Sequence, residues 1–157
     1  MSESSPMIEL DKIDKEILTI LQNDAKISLR EIEHKIHLST TAIRARIKRL
    51  TENNIIKKYI TLLECQKLGY REMVIISLRV NTSKKLMELK GKIEEMEKVK
   101  YAYIITGEYP LFVMAKCLNH EDSLNLVETL RNLPGVEEAK TQIVLDKIKE
   151  DPTIIIP

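Results

Sequence analysis

The first third of the chain spaces its apolar residues with the period of a helix. Ile13, Ile17, Ile20 and Leu21 recur at intervals of three and four, which places them on one face of a helix over 11–23. Asp11 is positioned to cap that helix, and Asp14 falls in its first turn, where unpaired amides favour negative charge. Ser28 followed by Glu31 has capping-box spacing, and Leu29, Ile32 and Ile36 form the stripe of a short second helix ending near His37. Only two residues later, Ser39 can cap a third helix that stops at Asn53-Asn54. Stepping about 100° per residue, Ile47 and Leu50 fall within about 40° of Ile43 and make its buried stripe. Thr41, Arg44, Ala45 and Lys48 then lie on the opposite side.

The remainder has a different rhythm. Residues 73–80 read as a strand, Leu86, Leu89, Ile93 and Met96 mark a helix, and 99–106 reads as a second strand. The order then repeats: a strand over 111–117, a helix striped by Leu124, Val127 and Leu130 and ended by Leu133-Pro134-Gly135, and a strand over 136–148. Equivalent starts lie 38 residues apart (73 and 111) or 37 apart (84 and 121, 99 and 136), which argues for two copies of one β-α-β unit. Two such units interleave as a ferredoxin-like βαββαβ sandwich with both helices on one face of an antiparallel sheet. The chain is therefore α+β: a tri-helical, winged-type helix-turn-helix domain over 1–56, a hinge strand and linker over 57–70, and the ferredoxin-like domain over 71–157. VIISLRV and LFVMAKC are apolar on both faces, so the sheet face without helices is expected to be covered by a second subunit. The apolar tail Thr153-Ile154-Ile155-Ile156 is expected to pack on a partner as well.

Charge sharpens the reading of the third helix. Residues 39–58 hold six Lys or Arg against one acid, Glu52, a local +5 in a chain whose total is +1. A basic helix is commonly a solvated surface, but this one follows a short helix and a tight turn, and such a pair can enter a major groove about 12 Å wide. Arg44 is the candidate base reader, because its fork matches guanine O6 and N7; Thr41, Ala45 and Lys48 share its side. Ser39 and Thr40 are placed for phosphate, and Lys57 and Lys58, past the helix stop, for the DNA backbone. Arg46 and Arg49 flank the apolar stripe and either meet DNA or pair with Glu31 or Glu33 inside the domain. Double-stranded DNA is the expected partner.

Several chemistries are set aside. Two cysteines make no disulfide framework, and no apolar run approaches the roughly 20 residues of a membrane span or shows a signal peptide, so a soluble, cytoplasmic protein is expected. No phosphate loop or nucleophile elbow appears, and neither an enzyme activity nor a cofactor is expected. His34 and His37 lack a convergent third ligand, so no metal is expected. Asn119-His120-Glu121-Asp122 reads as a helix cap, Cys117 as a core residue and Cys65 as exposed without a partner.

With these elements in hand, the chain resembles the Lrp/AsnC (leucine-responsive, feast/famine) family of transcriptional regulators from about Leu10 to the C-terminus. The resemblance is carried by LDKIDKEILTILQNDAKISLREI, RIKRLTENNIIKKY, ITGEYPLFV and NLPGVEEAKTQIVL. It implies a C-terminal domain of the RAM type that makes dimers, their association into tetramers or octamers, and an amino acid or similar metabolite bound between C-terminal domains. Effector-responsive members carry Gly-Asp-Tyr-Asp where this chain has Gly107-Glu108-Tyr109-Pro110. Glu108 keeps the first acid, able to receive an ammonium, and proline replaces the second; Thr141 and Gln142 are further candidates for the pocket. As plain structure, Gly107 and Pro110 are ordinary hairpin residues. His37, Asn54 and Lys58 stand where the family often has glycine. Two alternatives share parts of this plan: an enzyme resembling sirohaem decarboxylases, for which the C-terminal half offers only His120, and a DNA-wrapping architectural protein of low sequence preference.

Overall fold

The structure, a computed structural model, describes residues 9–157; the first eight residues of the expected DNA-binding domain lie outside the described residues. The chain forms two compact units, one reaching to Leu62 and including Glu150–Pro157, the other Leu63–Lys149.

In the first unit the helices are α1 (Lys12–Asn23), α2 (Leu29–Ile36) and α3 (Thr40–Glu52). Both capping boxes form. Asp11 accepts from the Asp14 amide at 2.8 Å, and the Glu31 carboxylate returns to the Ser28 amide at 2.8 Å, so α1 and α2 start where the sequence predicts. Each helix contributes one fully buried isoleucine, Ile17, Ile32 and Ile43, to a common centre. Burial of each is worth about 1.5–3 kcal/mol. His37 (φ 55°) and Asn54 (φ 58°) sit in the left-handed region and close α2 and α3. Beyond Asn54, the amides of Ile55 and Ile56 both donate to the Leu50 carbonyl, turning the chain out of the helix.

The second unit holds β1 (Glu72–Val80), α4 (Ser83–Glu94), β2 (Val99–Ile104), β3 (Leu111–Cys117), α5 (His120–Arg131) and β4 (Val136–Ile143). The sheet order is β2-β3-β1-β4, and every neighbouring pair is antiparallel, as two interleaved β-α-β units require. Val74, Ile76 and Leu78 of β1 and Val113, Ala115 and Cys117 of β3 point to the helix side, where Leu89, Ile93, Leu126, Val127 and Leu130 complete the core. Ile75, Phe112 and Met114 alternate to the opposite face and are half-buried, and Tyr101 and Tyr103 there are exposed. At the α5–β4 turn, Gly135 has φ 91°, and a Cβ on it would lie 2.7 Å from that of Lys85, so the position requires glycine.

Four expectations change. β4 ends at Ile143 rather than 148, because β1 begins at Glu72 and the ladder continues past Ile143 only as one bond, from the Val144 amide to the Met73 carbonyl, among the described residues. β2 ends at Ile104, where the bond from the Ile105 amide to the Pro110 carbonyl closes a loop. Residues 59–63 form no strand among the described residues, and Tyr59, Ile60 and Leu62 are exposed. On α5 it is Leu126, with Ser123, Val127 and Leu130, that is buried, while Leu124 is 53% exposed: the core-facing arc starts one residue earlier.

Candidate nucleic-acid interface and effector loop

Helix α3 presents two sides of opposite character. Ile43 and Leu50 are buried and Ile47 is half-buried, while Thr41, Arg44, Ala45 and Lys48 are exposed on the far side. Ser39 caps the helix through Oγ, accepting from the Ala42 amide at 3.3 Å; Ser39 is exposed and Thr40 half-buried beside it. Lys48 lies 3.7 Å from Glu52, an exposed pair one turn apart worth only a few tenths of a kcal/mol. Lys57 and Lys58 are exposed just after the turn at Asn54. Apart from Lys48 beside Glu52, the side carrying Thr41, Arg44 and Ala45 holds no acid, and a helix end with free amides and cations fits a phosphate-lined groove.

Arg46 and Arg49 do not pair with Glu31 or Glu33. Arg46 Nη1 reaches Asp11 at 2.5 Å and Asp14 at 2.8 Å, and Arg49 Nη2 is ion-paired with the other oxygen of Asp14. The Asp14 side chain is completely buried and also accepts from the Asp11 amide at 3.2 Å. An isolated carboxylate in that position would carry a desolvation cost of several kcal/mol; two guanidiniums and an amide offset it. Hydrogen bonds donated to Asp11 and Asp14 hold Arg46 above its ordinary value, and the Asp14 amide with Arg46 holds the Asp11 carboxyl below its own. The cluster ties α3 to α1 at a defined rotation. It also directs one end of Arg49 inward, although the rest of that side chain is 48% exposed. The sequence carried a signal: Asp14 stands at a stripe position with Ile17, Leu18 and Leu21, and an acid there must meet cations.

In the second unit the loop between β2 and β3 carries Gly107 at φ 114° and the exposed Glu108. Glu108 meets β1 at the surface: its Oε1 lies 3.2 Å from Arg79 Nη1. Arg79, on β1, also meets Glu138 at 3.0 Å and Glu137 at 3.4 Å, so one guanidinium bridges the loop to β4. The Lys140 ammonium sits 4.0 Å over the Tyr109 ring. Pro110 is half-buried at the loop's end. Thr141 pairs with Ile76 and Gln142 with Ile75, so strand alternation sends them to opposite faces; Gln142 and Lys140 share the side without helices and Thr141 does not. Thr141 is thus separated from the loop it was expected to join. Arg79, Glu137, Glu138 and Lys140 were not singled out in the sequence, because only the β1–β4 register brings them to the loop.

Elsewhere, Asn119 caps α5, accepting from the Asp122 amide at 2.9 Å, and His120 Nδ1 lies 3.3 Å from Glu72. Burial raises the Cys117 thiol. Cys65 is half-buried and does have a neighbour, the Lys116 ammonium, which donates to its Sγ at 3.3 Å. Among the described residues, no three His, Cys, Asp or Glu side chains converge as metal ligands, and no helix is long and apolar enough to cross a membrane.

Comparison with known proteins agrees with this geometry in both units. Residues 10–51 match the AsnC-type helix-turn-helix domain, and residues 73–154 match the Lrp/AsnC ligand binding domain. An uncharacterized HTH-type transcriptional regulator of Pyrococcus abyssi is 35% identical over 142 residues, covering 90% of this chain and 96% of the relative. E. coli AsnC superposes with a TM-score of 0.87 at 22% identity, over 95% of this chain and all of that one. A Neisseria meningitidis transcriptional regulator in complex with L-Met superposes with a TM-score of 0.85 at 23% identity, over 93% and 96% of the two chains. With its AsnC-type helix-turn-helix unit, ligand-binding unit and near full-length relative, the chain belongs to the Lrp/AsnC family of transcriptional regulators.

Proposed function

We propose that α3 reads operator DNA from the major groove, that a homodimer presents two such helices to half-sites about 34–36 Å or a multiple of it apart, and that an amino acid or other small metabolite shifts its affinity. The observation that carries this is the division of α3 into a clamped side and a free side. Arg44 contacts a base, with Thr41, Ala45 and Lys48 around it; Ser39, Thr40, Lys57, Lys58 and the exposed edge of Arg49 contact phosphates. The half-buried apolar face of the sheet, with Tyr101 and Tyr103 at its rim, supports dimerisation through the second unit and further assembly into tetramers or octamers. The methionine complex of the Neisseria regulator supports an amino acid as the effector class. Gly107, Glu108, Tyr109, Pro110 and Gln142, now with Lys140, form the candidate receiving surface, and Arg79 holds Glu108 until the ligand's ammonium replaces it. The protein works in the cytoplasm and catalyses no reaction; His120, the one histidine of the C-terminal half, lies against Glu72 beside a helix cap, which lends no support to a tetrapyrrole enzyme.

Selection of bound fragments from genomic DNA, repeated with a pool of amino acids, tests the proposal. A dyad motif retained against bulk DNA by about a thousandfold or more, with enrichment altered by the pool, is expected. Fragments without a common motif would overturn sequence-specific reading in favour of architectural wrapping.

A further inference from the structure

The last residues of the chain return to the DNA-binding unit. Pro152, Thr153, Ile154 and Ile156 line a hollow of about 330 Å³ together with Leu18, Leu21 of α1 and Tyr59 of the connector. Gln22, near the end of α1, holds the main chain of Ile154 at both its polar groups. The carboxamide donates to the Ile154 carbonyl at 3.0 Å and accepts from the Ile154 amide at 2.9 Å, across 132 residues of sequence. That two-point seat reproduces what a neighbouring strand would offer. The approach is pre-set: the Asp151 carboxylate accepts from both the amide and the hydroxyl of Thr153, and Pro152 fixes its own φ. Ile156 is half-buried in a groove shared with Ile20 and Ile36, whereas Ile155 is 93% exposed. The tail, expected to pack on a partner, takes a seat on its own α1 within the single chain.

We propose that residues 152–156 are a strap on α1 that completes the DNA-binding unit and gives the ligand-binding unit a second covalent grip on it. The chain enters the first unit at two places, through the connector before Leu63 and through the tail after Lys149. A unit joined by one flexible segment takes up little strain from its neighbour; a unit held at two points must respond when the spacing of those points changes. Helix α1 is the element that carries such a response. Gln22 and Asp14 lie eight residues apart on it, about 12 Å along a rigid helix, and Asp14 holds the two arginines of α3. Among the described residues, Gln22 gives the strap two hydrogen bonds and only Ile156 of it is half-buried, a light seat that can be released. The coupling part of this proposal rests on the DNA-binding reading of α3, and the seating part does not.

Hydrogen exchange and DNA retardation on the full-length protein test the two parts separately. Gln22→Ala and removal of residues 152–157 should each speed exchange of the α1 amides by about tenfold, and Gln22→Ala in the shortened chain should add nothing. Gln22→Glu, which keeps the acceptor for the Ile154 amide and loses the donor, should fall between. Both full-length variants should bind the selected operator about threefold to tenfold more weakly at unchanged assembly state. Additive effects of Gln22→Ala and the deletion would overturn the seat. Faster exchange with unaltered operator affinity would overturn the coupling. Failure of the unmodified protein to retain any DNA would instead sink the reading of α3, with the exchange result still deciding the seat.

Discussion

Two clusters of arginine and carboxylate, one in each unit, use the same chemical groups in inverted proportions. In the first unit one fully buried acid, Asp14, is shared by Arg46 and Arg49. In the second, one arginine, Arg79, is shared by Glu108, Glu137 and Glu138, and all four side chains are more than a third exposed. A buried charge with neutralising partners cannot let go of them without leaving itself uncompensated, so the first cluster fixes a geometry. Exposed charges exchange protein partners for water at little cost, so the second cluster can be rearranged by a ligand. The difference suits the two proposed tasks: a helix proposed to read DNA has to be held at one rotation, whereas a loop proposed to receive an effector has to move.

The largest effect should come from removing the buried acid. Asp14→Ala leaves two guanidiniums directed at an emptied apolar site and is expected to cost about 3–5 kcal/mol in the stability of the first unit. Urea unfolding monitored on that unit measures it. Asp14→Asn, which keeps the shape and loses the charge, should recover only part. A cost below about 1 kcal/mol for both would mean that the first cluster is as dispensable as an exposed pair, and the comparison would collapse.

The same comparison explains what could be read in the sequence. The three helices and the duplicated β-α-β units were legible because local signals specify them: the capping boxes at Asp11 and Ser28, the stripe Ile43, Ile47, Leu50, and the repeat offset. Element ends that depend on a partner were not. β4 stops where β1 stops offering bonds, and the segment 59–63, strand-like in composition, pairs with no strand among the described residues of the single chain. The outward side of α3 was legible from helical angle alone. The partners of Arg46, Arg49 and Glu108 were not, because Asp14 is 32 and 35 residues from the two arginines it binds, Arg79 is 29 from Glu108, and only tertiary packing selects them.

Arg44 sharpens the contrast within a single helix. It is two residues from Arg46, yet it is exposed and makes no ion pair among the described residues. If the clamp positions and Arg44 reads, Arg44→Ala should cost about 1–3 kcal/mol on the selected operator, relax preference at one base position and leave unfolding within about 0.5 kcal/mol of the unmodified protein. Lys57→Ala should weaken all sequences evenly and reduce the salt slope by about one. Retardation over a series of salt concentrations, on operator and on random DNA, separates the two. Equal losses for Arg44→Ala on both DNAs would refute its role in base reading.

A smaller change is expected from the exposed cluster. Arg79→Ala removes three ion pairs at once, but all four side chains are more than a third exposed, and the second unit should lose no more than about 1 kcal/mol. Its consequence should appear in ligand response: with Arg79 gone, Glu108 is released to receive an ammonium, and the amino-acid dependence of fragment retention should strengthen. Calorimetric unfolding gives the first quantity and retention with and without the amino-acid pool the second. A stability loss comparable to that of Asp14→Ala would show that exposure does not distinguish the clusters.

The smallest effect lies at the rim of the buried cluster, where Asp11 joins it from the solvent side. Its carboxyl is held below the ordinary 3.8 by the Asp14 amide and then by Arg46. A group whose folded value is depressed contributes stability that is complete above its unfolded value and is lost as pH falls through the folded one. The contribution of Asp11 should therefore be constant from neutral pH down to about 5 and drain away below 3.8. Asp11→Asn, which cannot titrate, should lower the thermal midpoint of the first unit slightly at pH 6, and the difference from the unmodified protein should shrink as pH falls below 3.8. The asparagine also keeps an oxygen to cap α1, so the shrinking part reports the charge on Asp11 and the constant part reports the cap. A difference that stays the same across that range would assign Asp11 to capping alone and leave Asp14 as the only charge in the cluster that matters to the fold.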